Sequence, residues 1–354
     1  MTQNSDSGTM RAAVVLPRTF WGEKEWKNAE QARAYVDDAV AEGAEIVFFP
    51  EGYPGPATGP LEQPELDQTP IRGLCQKAAE HEVWVVASDL EPNSKQDETY
   101  FLTLKLISPA GEVVERYVRV QPDTPPLNSY LYNGKAHLLP GDEFVVRDTG
   151  KMNLGLCICS ELWVPEIPRT LMTKGAEVTF APVHGLHSRT HFDGEKKRET
   201  WRAIARARAA ENTSYVIVTQ NAYLQDDFDI QDNIISGAFV ATPEEMLALR
   251  EEPGILTVDL DMDRLQLLRS RNYDEKLLSP PKSDERDLGI GCRPGQIWER
   301  NPELFTELTA PSEYSFNYDY YRTGLDEWLT DYDRIYDGKH QNILEEYGKL
   351  TFDR

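Results

Sequence analysis

Cysteine is scarce in this sequence, with four residues in 354: Cys75, Cys157, Cys159 and Cys292. Four thiols are too few for a disulfide scaffold of this size, which favours a reducing compartment. Long hydrophobic runs are also lacking, because no stretch approaches the roughly 18 apolar residues of a membrane-spanning helix. Residues 1–17 have neither the basic region nor the apolar region of a signal peptide. We therefore expect a cytoplasmic protein with free thiols.

Basic residues are under-represented, with 37 Lys and Arg against 60 Asp and Glu, which gives a net charge of −23. Nucleic acids and anionic membrane surfaces both require a basic footprint on their partner. The composition therefore argues against nucleic acid and against a membrane as the main partner. Hydrophobic residues make up 40% of the chain, which is enough for a sizeable core.

Strand and helix patterns alternate over the first half of the chain. Apolar residues recur at helical spacing between Lys24 and Glu42, and Gly43 ends that helix. Short branched apolar runs bounded by turn residues predict strands, as in AEIVFFPE and NLGLCICS. Other strands pair as hairpins, so the pattern predicts an α/β layered domain built on mixed sheets.

The stretch GLCICSELWVPEIPR, residues 155–169, carries two of the four cysteines. Side chains alternate along a strand, so Cys157 and Cys159 share one face. Cys157 lies deeper in the strand and is interpreted as a core residue. Cys159 lies at its end, where a strained turn can expose a nucleophile. A thiol at neutral pH still needs a base or a positive environment to become reactive.

Glu51 is the best candidate for that base. It directly follows the buried strand IVFFP, where partial burial of a carboxylate favours a role as general base. The alternative is an ordinary loop or helix-capping glutamate. The six histidines lie beside no comparable strand-end signature.

Four motifs in this order resemble the nitrilase superfamily of carbon–nitrogen hydrolases. FFPEGY is similar to its glutamate motif and ICSELWVPE to its cysteine motif, while KGAEVTFAPV and RARAAEN match segments that follow the cysteine. The resemblance implies a four-layer α-β-β-α sandwich, with Cys159 as nucleophile, Glu51 as base and no metal or organic cofactor. It also implies a small-molecule substrate and assembly into homo-oligomers.

The sequence departs from the family where a lysine is expected, because RYVRVQ has Arg119 at the matching position. An arginine can hold a developing oxyanion, but it does not release a proton as a buried lysine can. Arg119 is therefore either a substitute that acts by charge or a mark of lost activity. Lys105 and Lys135 are the nearest alternatives. For the second glutamate of many family members, Glu143 is the sole candidate between Arg119 and Cys159, and its turn-like setting favours a structural role.

Four further residues are candidate substrate contacts: Glu161, Trp163, His184 and His187. Glu161 either touches substrate or holds the strand-end turn, and we favour the turn. Trp163 is either a pocket wall or a core residue. His184, His187 and His191 are close in sequence, but without a cysteine or a regular helix their spacing is a weak metal signal.

We divide the chain into a disordered N-terminus (1–10), a carbon–nitrogen hydrolase domain (11–270) and an acidic, tyrosine-rich extension (271–354). The extension either packs on its own domain or contacts another subunit. The predicted activity is hydrolysis of a non-peptide carbon–nitrogen bond through a thioester. An amide or a carbamoyl group is favoured over a nitrile as the substrate. A degenerate binding protein and an acyltransferase using the same thioester are the alternatives.

Overall fold

The computed structural model describes the chain over eight ranges: 8–20, 24–55, 69–95, 99–121, 137–185, 194–223, 237–270 and 300–308. The chain divides into two compact units. The larger unit comprises residues 1–91, 101–121 and 140–297, and the smaller comprises 92–100, 122–139 and 298–354. Most of the predicted extension, residues 271–299 and 309–354, lies outside the described residues.

The helices and strands follow the predicted alternation. The described strands are β1 (Thr9–Leu16), β2 (Arg18–Thr19), β3 (Ile46–Phe48), β4 (Trp84–Pro92), β5 (Thr99–Ile107), β6 (Val113–Val118), β7 (His137–Leu138), β8 (Val146–Asp148), β9 (Asn153–Leu156), β10 (Val178–Val183), β11 (Tyr215–Gln220), β12 (Ala222–Tyr223), β13 (Ala238–Ala241), β14 (Met246–Arg250) and β15 (Gly254–Asp261). The described α-helices are α1 (Trp26–Ala41), α2 (Thr69–His81), α3 (Glu166–Thr173), α4 (Gly194–Asn212) and α5 (Met262–Ser270).

Two mixed sheets form the centre of the larger unit. The first has the order β15-β1-β3-β4-β5-β6, with β1, β3 and β4 parallel and β15 and β6 antiparallel to their neighbours. The second has the order β14-β13-β11-β10-β9-β8, with β9, β10 and β11 parallel. The parallel strands β3, β10 and β11 are buried along their whole length, as expected for strands covered on both faces.

Each sheet packs on helices with one face and on the other sheet with the opposite face. On the first sheet, Val47 and Val85 pack in one cluster with Val36 of α1 and Leu74 of α2. On the second sheet, β10 and β11 pack against α3 and α4. Between the sheets, the Phe48 and Phe180 rings lie 4.7 Å apart. These layers confirm the predicted α-β-β-α sandwich.

The smaller unit is described over short segments. Residues 99–100 of β5 pair in parallel with β7 (His137–Leu138). Two 3₁₀ turns, Pro302–Leu304 and Thr306–Leu308, are the described part of the predicted extension.

Three local predictions differ from the structure. The strand predicted over NLGLCICS ends at Leu156, because the chain turns into a 3₁₀ helix at Cys159. The N-terminal segment predicted to be disordered to residue 10 already contributes Thr9 and Met10 to β1, where they pair with β15. The elements β14 and α5 were not predicted, and both expose part of their apolar residues, namely Leu247 and Leu249 in β14 and Leu267 in α5.

In the described ranges, we find no helix with both the length and the apolar character needed to cross a membrane.

Candidate active site

The polar residues of the site follow strands that run in the same direction in each sheet. Glu51 follows β3 of the first sheet, and Cys159, His184 and Asn221 follow β9, β10 and β11 of the second. The carboxyl ends of parallel strands form one edge of a sheet, where α/β proteins commonly bind ligands. The fold therefore gathers these residues at one edge of the sandwich.

Glu51 lies in a tight turn that directly follows β3. The chain turns at once, with the Tyr53 N–H donating to the Pro50 carbonyl (3.2 Å). The amide Nδ2 of Asn221 donates to the Glu51 backbone carbonyl (2.8 Å), which fixes this turn from the second sheet. The Glu51 side chain is 2% exposed. It is therefore a buried carboxylate on a fixed backbone.

Arg119 is buried against Glu51 and, among the residues that the structure describes, is the largest fully buried side chain. It directly follows β6, and its N–H extends the sheet by donating to the Leu102 carbonyl (3.0 Å). Its guanidinium donates through Nε to the Gln121 carbonyl (3.1 Å), through Nη1 to Glu51 Oε1 (3.2 Å) and through Nη2 to Ser160 Oγ (2.6 Å). A positive charge is thus held between the candidate base and the residue after Cys159.

Cys159 adopts a backbone conformation that side-chain-bearing residues rarely take. Its φ angle is 54°, and it opens the 3₁₀ helix Cys159–Trp163. Such a left-handed residue is strained and persists only where the surroundings hold it. The turn leaves Cys159 half-buried, whereas Cys157 is fully buried and bonded through its N–H to the Phe180 carbonyl (3.0 Å). Burial raises the pKa of the Cys157 thiol well above its ordinary value.

Glu161 holds the Cys159 turn in place. Its Oε2 accepts from the Ile158 N–H (2.6 Å) and the Tyr117 hydroxyl (2.7 Å), and its Oε1 accepts from the N–H groups of Val120 (2.7 Å) and Gln121 (2.9 Å). Ile158 directly precedes Cys159, and Val120 and Gln121 directly follow Arg119, so Glu161 joins the two segments that carry these residues. Glu161 is fully buried, so burial raises the pKa of its carboxyl, while the nearby Arg119 charge lowers it.

Helix α4 secures the far end of the same turn. Arg208, in the RARAAEN motif, donates to the carbonyls of Leu162 (3.0 Å) and Trp163 (3.0 Å). These are terminal carbonyls of the 3₁₀ helix, which have no partner within it. The motif therefore has a structural role in fixing the cysteine turn.

His184 directly follows β10 and is buried beside Tyr223, so the prediction that no histidine lies at a strand end was wrong. The Tyr223 hydroxyl lies 2.9 Å from His184 Nδ1, and the rings stack with centroids 5.5 Å apart. The His184 carbonyl accepts from Asn221 Nδ2 (3.0 Å), the same amide that bonds Glu51. His184 is thus tied to the site through its backbone. His187 and His191 lie outside the described residues.

Trp163 is placed elsewhere. Its ring packs edge-on against Trp201 of α4 (5.4 Å between centroids), and Lys197 lies over it at 5.0 Å. This is the helix-facing side of the second sheet. Trp163 is joined to the cysteine turn by the chain, and in the described part of the structure no bond links it to Glu51 or Arg119.

The alternative candidates for the positive group and second glutamate lie apart from this group. Thr103 pairs with Val118 and Leu104 with Tyr117, so Lys105 lies on the face of β5 opposite to that of Arg119. Lys105 instead forms ion pairs with Asp89 and Glu91. Glu143 is exposed. Lys135 lies outside the described residues.

Three residues of the site were not predicted: Tyr117, the side chain of Ser160, and Asn221. Asn221 could have been predicted from the sequence, because it is a polar residue directly after a buried strand, as Glu51 is after the predicted strand IVFFP. Tyr117 and Ser160 could not have been, since their partners are 44 and 41 residues away in the sequence. Over the described ranges, no cluster of three or more His, Cys, Asp or Glu is placed to hold a metal ion.

The chain matches known hydrolases over most of its length and shares their fold. It is 29% identical to a deaminated glutathione amidase from Synechocystis over 257 residues, which cover 69% of this chain and 90% of the relative. A carbon–nitrogen hydrolase from Helicobacter pylori superposes with a TM-score of 0.63 at 22% identity, over 79% of this chain and 98% of that chain. An amidase from Nesterenkonia superposes with a TM-score of 0.59 at 22% identity, over 77% and 97%.

The sequence profile of the carbon–nitrogen hydrolase family matches residues 11–270, the same range that the motifs predict. That range contains the buried Glu51–Arg119 pair and the strained Cys159 turn. The chain therefore belongs to the carbon–nitrogen hydrolase family and is an amidase- or nitrilase-like enzyme.

Proposed function

We propose that this protein hydrolyses an amide or carbamoyl carbon–nitrogen bond of a small molecule through a thioester on Cys159. The observation that carries the proposal is the buried guanidinium of Arg119, which bonds both Glu51 and the residue after Cys159. A carboxylate base, a fixed positive charge and a strained thiol turn are the parts that this reaction requires.

In the first half of the reaction, Glu51 takes the proton from Cys159 and the thiolate attacks the carbonyl carbon. Negative charge then develops on the carbonyl oxygen, where Arg119 and the backbone N–H of Ser160 stabilise it. Glu51 returns the proton to the departing nitrogen as the carbon–nitrogen bond breaks. The products of this half are an amine or ammonia and an acyl group on sulfur.

In the second half, Glu51 removes a proton from water, and the resulting hydroxide attacks the thioester. As the carbon–sulfur bond breaks, Glu51 returns that proton to the Cys159 sulfur, which restores the thiol and the carboxylate base and releases a carboxylic acid. Arginine does not give up its proton in proteins. Every proton transfer therefore falls to Glu51, and Arg119 contributes as charge and hydrogen-bond donor in the place of the family's lysine.

An amide is favoured over a nitrile as substrate. The Synechocystis relative, which matches 69% of this chain, is named an amidase, as is the Nesterenkonia structure. The −23 charge of the chain also points to a small molecule over a polyanion as the bound partner.

The first test is the rate at which iodoacetamide alkylates Cys159, followed by peptide mapping between pH 6 and pH 9. We expect Cys159 to react well below the ordinary thiol pKa of about 8.5. In Glu51→Gln the rate at pH 7 should fall by roughly tenfold or more, since no base remains to accept the proton. Cys157 lies in the same peptide and, being fully buried, serves as an internal control for folding.

Slow labelling of Cys159 with the pH dependence of a free thiol, while Cys157 stays protected, would contradict the proposal. That result would favour a binding protein that retains the fold without turnover.

A further inference from the structure

We propose that Ser160 is a positioning residue whose hydroxyl holds Arg119 in the orientation that stabilises the oxyanion. The inference rests on the proposed function and goes beyond it, because it assigns a role to a side chain that neither the motif nor the reaction requires. The starting observation is the 2.6 Å bond from Arg119 Nη2 to Ser160 Oγ, which is shorter than the guanidinium's bonds to Glu51 (3.2 Å) and Gln121 (3.1 Å).

The acceptors of the three Arg119 bonds lie in two parts of the fold. Gln121 and Glu51 both belong to the first sheet and its loops, as Arg119 does. Ser160 alone belongs to the turn of the nucleophile, which follows the second sheet. Its hydroxyl therefore fixes the guanidinium relative to Cys159, whereas the other two bonds fix it relative to its own sheet.

The shape of arginine explains why this contact matters. A guanidinium is a planar fork whose edges can bond several acceptors at once, whereas a lysine ammonium is a single point. In this chain one edge reaches Glu51 and another reaches Ser160. A lysine at position 119 would have a single nitrogen to reach both Glu51 and Ser160. The hydroxyl of Ser160 therefore suits an arginine at position 119 better than a lysine.

Residue 160 contributes twice under this proposal. Its backbone N–H faces the developing oxyanion, and its side chain orients the second group that does so. Loss of the hydroxyl leaves the thiol, its base and the N–H unchanged, but frees one end of the guanidinium. The step that passes through an oxyanion then slows, and a reaction of the same thiol without an oxyanion does not.

Two reactions of Cys159 separate these cases. With 4-nitrophenyl acetate, the sulfur attacks the carbonyl carbon, an oxyanion forms, and 4-nitrophenolate leaves as the acetyl thioester forms. With iodoacetamide, the sulfur displaces iodide from a saturated carbon and no oxyanion forms. The acylation burst and the alkylation rate are measured on the full chain, with the adducts located by peptide mapping.

In Ser160→Ala we expect acylation to slow by about tenfold, the scale of one charge-assisted hydrogen bond, while alkylation changes by less than about twofold. Ser160→Thr keeps the hydroxyl and should recover most of the acylation rate. In an Arg119→Lys background, the further change Ser160→Ala should alter acylation by less than about twofold, because the contact between Arg119 and Ser160 is already broken. The matched control is Ser214→Ala, a buried serine that precedes β11 and so lies at its opposite end.

The proposal is overturned if Ser160→Ala acylates like the wild type, if both rates fall together, or if the loss persists in the Arg119→Lys background. Absence of an acetyl adduct on Cys159 of the wild type would overturn the proposed function itself, and the role of Ser160 with it. A wild type that acylates while Ser160→Ala is unaffected overturns the role of Ser160 alone.

Discussion

A carboxylate at position 161 accepts four hydrogen bonds, and no other side chain of similar length offers four lone-pair sites without a proton. Three of the donors are backbone N–H groups, of Ile158, Val120 and Gln121, and the fourth is the Tyr117 hydroxyl. Glu161 therefore stabilises the backbone around the site, because both of its carboxylate oxygens accept hydrogen bonds from the protein. Its neighbour Tyr117 has a raised pKa, first through burial and then through the Glu161 charge, so it stays a donor at neutral pH.

Glu161→Gln should destabilise the protein by about 3 kcal/mol, because the amide nitrogen then faces buried donors that it cannot accept from. The free energy of unfolding, from urea denaturation, measures this. The alkylation rate of Cys159 should fall in the same variant, since the turn with φ of 54° loses the bond at Ile158.

The matched control for this change is Glu143→Gln, an exposed glutamate for which a change within about 0.5 kcal/mol is expected. Equal stability of the two variants would show that Glu161 is not the acceptor that holds this turn.

At the scale of elements, the neighbouring strands β4, β5 and β6 carry a polar cluster on the face opposite to Arg119. Lys105 bonds Asp89, and also lies 2.6 Å from Glu91, which in turn binds Arg116 at 2.5 Å. Burial raises the pKa of the Asp89 carboxyl, and Lys105 opposes that rise. For Glu91, burial is outweighed by Arg116 and Lys105, which together lower its pKa.

Lys105→Met removes the charge that both carboxylates share, and should cost about 3 kcal/mol at neutral pH, as for one lost partner of a buried pair. Without Lys105 the folded-state pKa of Asp89 rises further above its unfolded value. A carboxyl with a raised folded pKa favours the native state at low pH and loses that contribution as pH rises through the folded pKa. The difference in unfolding free energy from wild type should therefore be larger at pH 8 than at pH 5.

Urea denaturation at the two pH values checks this sign, and an equal difference at both would contradict it. Lys151→Met is a suitable control, because Lys151 pairs with Glu45 with both side chains about 40% exposed. Such an exposed pair contributes little, about 0.5 kcal/mol.

The fate of the cysteine strand shows what the sequence could predict and what it could not. Cys157 was correctly placed in the core from its position inside the predicted strand, which the local sequence alone indicates. The end of β9 at Leu156 and the positive φ of Cys159 depend on Glu161 and Arg208. The bonds of Glu161 to Val120 and Gln121 span 41 and 40 residues, and those of Arg208 span 46 and 45. The motif order predicted Glu51, Arg119 and Cys159, whereas the contacts that hold them required the structure.

For the sandwich as a whole, the proposed reaction depends on how the two sheets meet. The proposed base Glu51 and the Arg119 guanidinium come from the first sheet, and the turn of the proposed nucleophile Cys159 follows the second. Asn221 links them, since its Nδ2 donates to the carbonyls of Glu51 (2.8 Å) and His184 (3.0 Å), and its Oδ1 accepts from Thr19 (2.9 Å). Thr219 makes a second link within the sandwich, from its hydroxyl to the Val15 carbonyl (2.6 Å).

Asn221→Asp tests whether this link serves the site. The two side chains have the same shape, but the carboxylate has no N–H and places negative charge against two carbonyl oxygens. We expect a loss of about 3 kcal/mol in unfolding free energy, because Asn221 is 1% exposed and water cannot compensate. We also expect slower alkylation of Cys159 at temperatures where the variant remains folded, since the Glu51 turn is no longer held.

Thr219→Val separates stability from function in the same experiment. It removes a different hydrogen bond between the sheets, at a position before the strand end, and should cost about 1 kcal/mol. Because the Glu51 turn keeps its bond to Asn221, the alkylation rate of Cys159 should stay within about twofold of the wild type. If both variants slow alkylation in proportion to their loss of stability, the Asn221 contact is one more packing interaction. If Asn221→Asp alone slows it, the bond that ties the Glu51 turn to the second sheet contributes to the reactivity of the thiol.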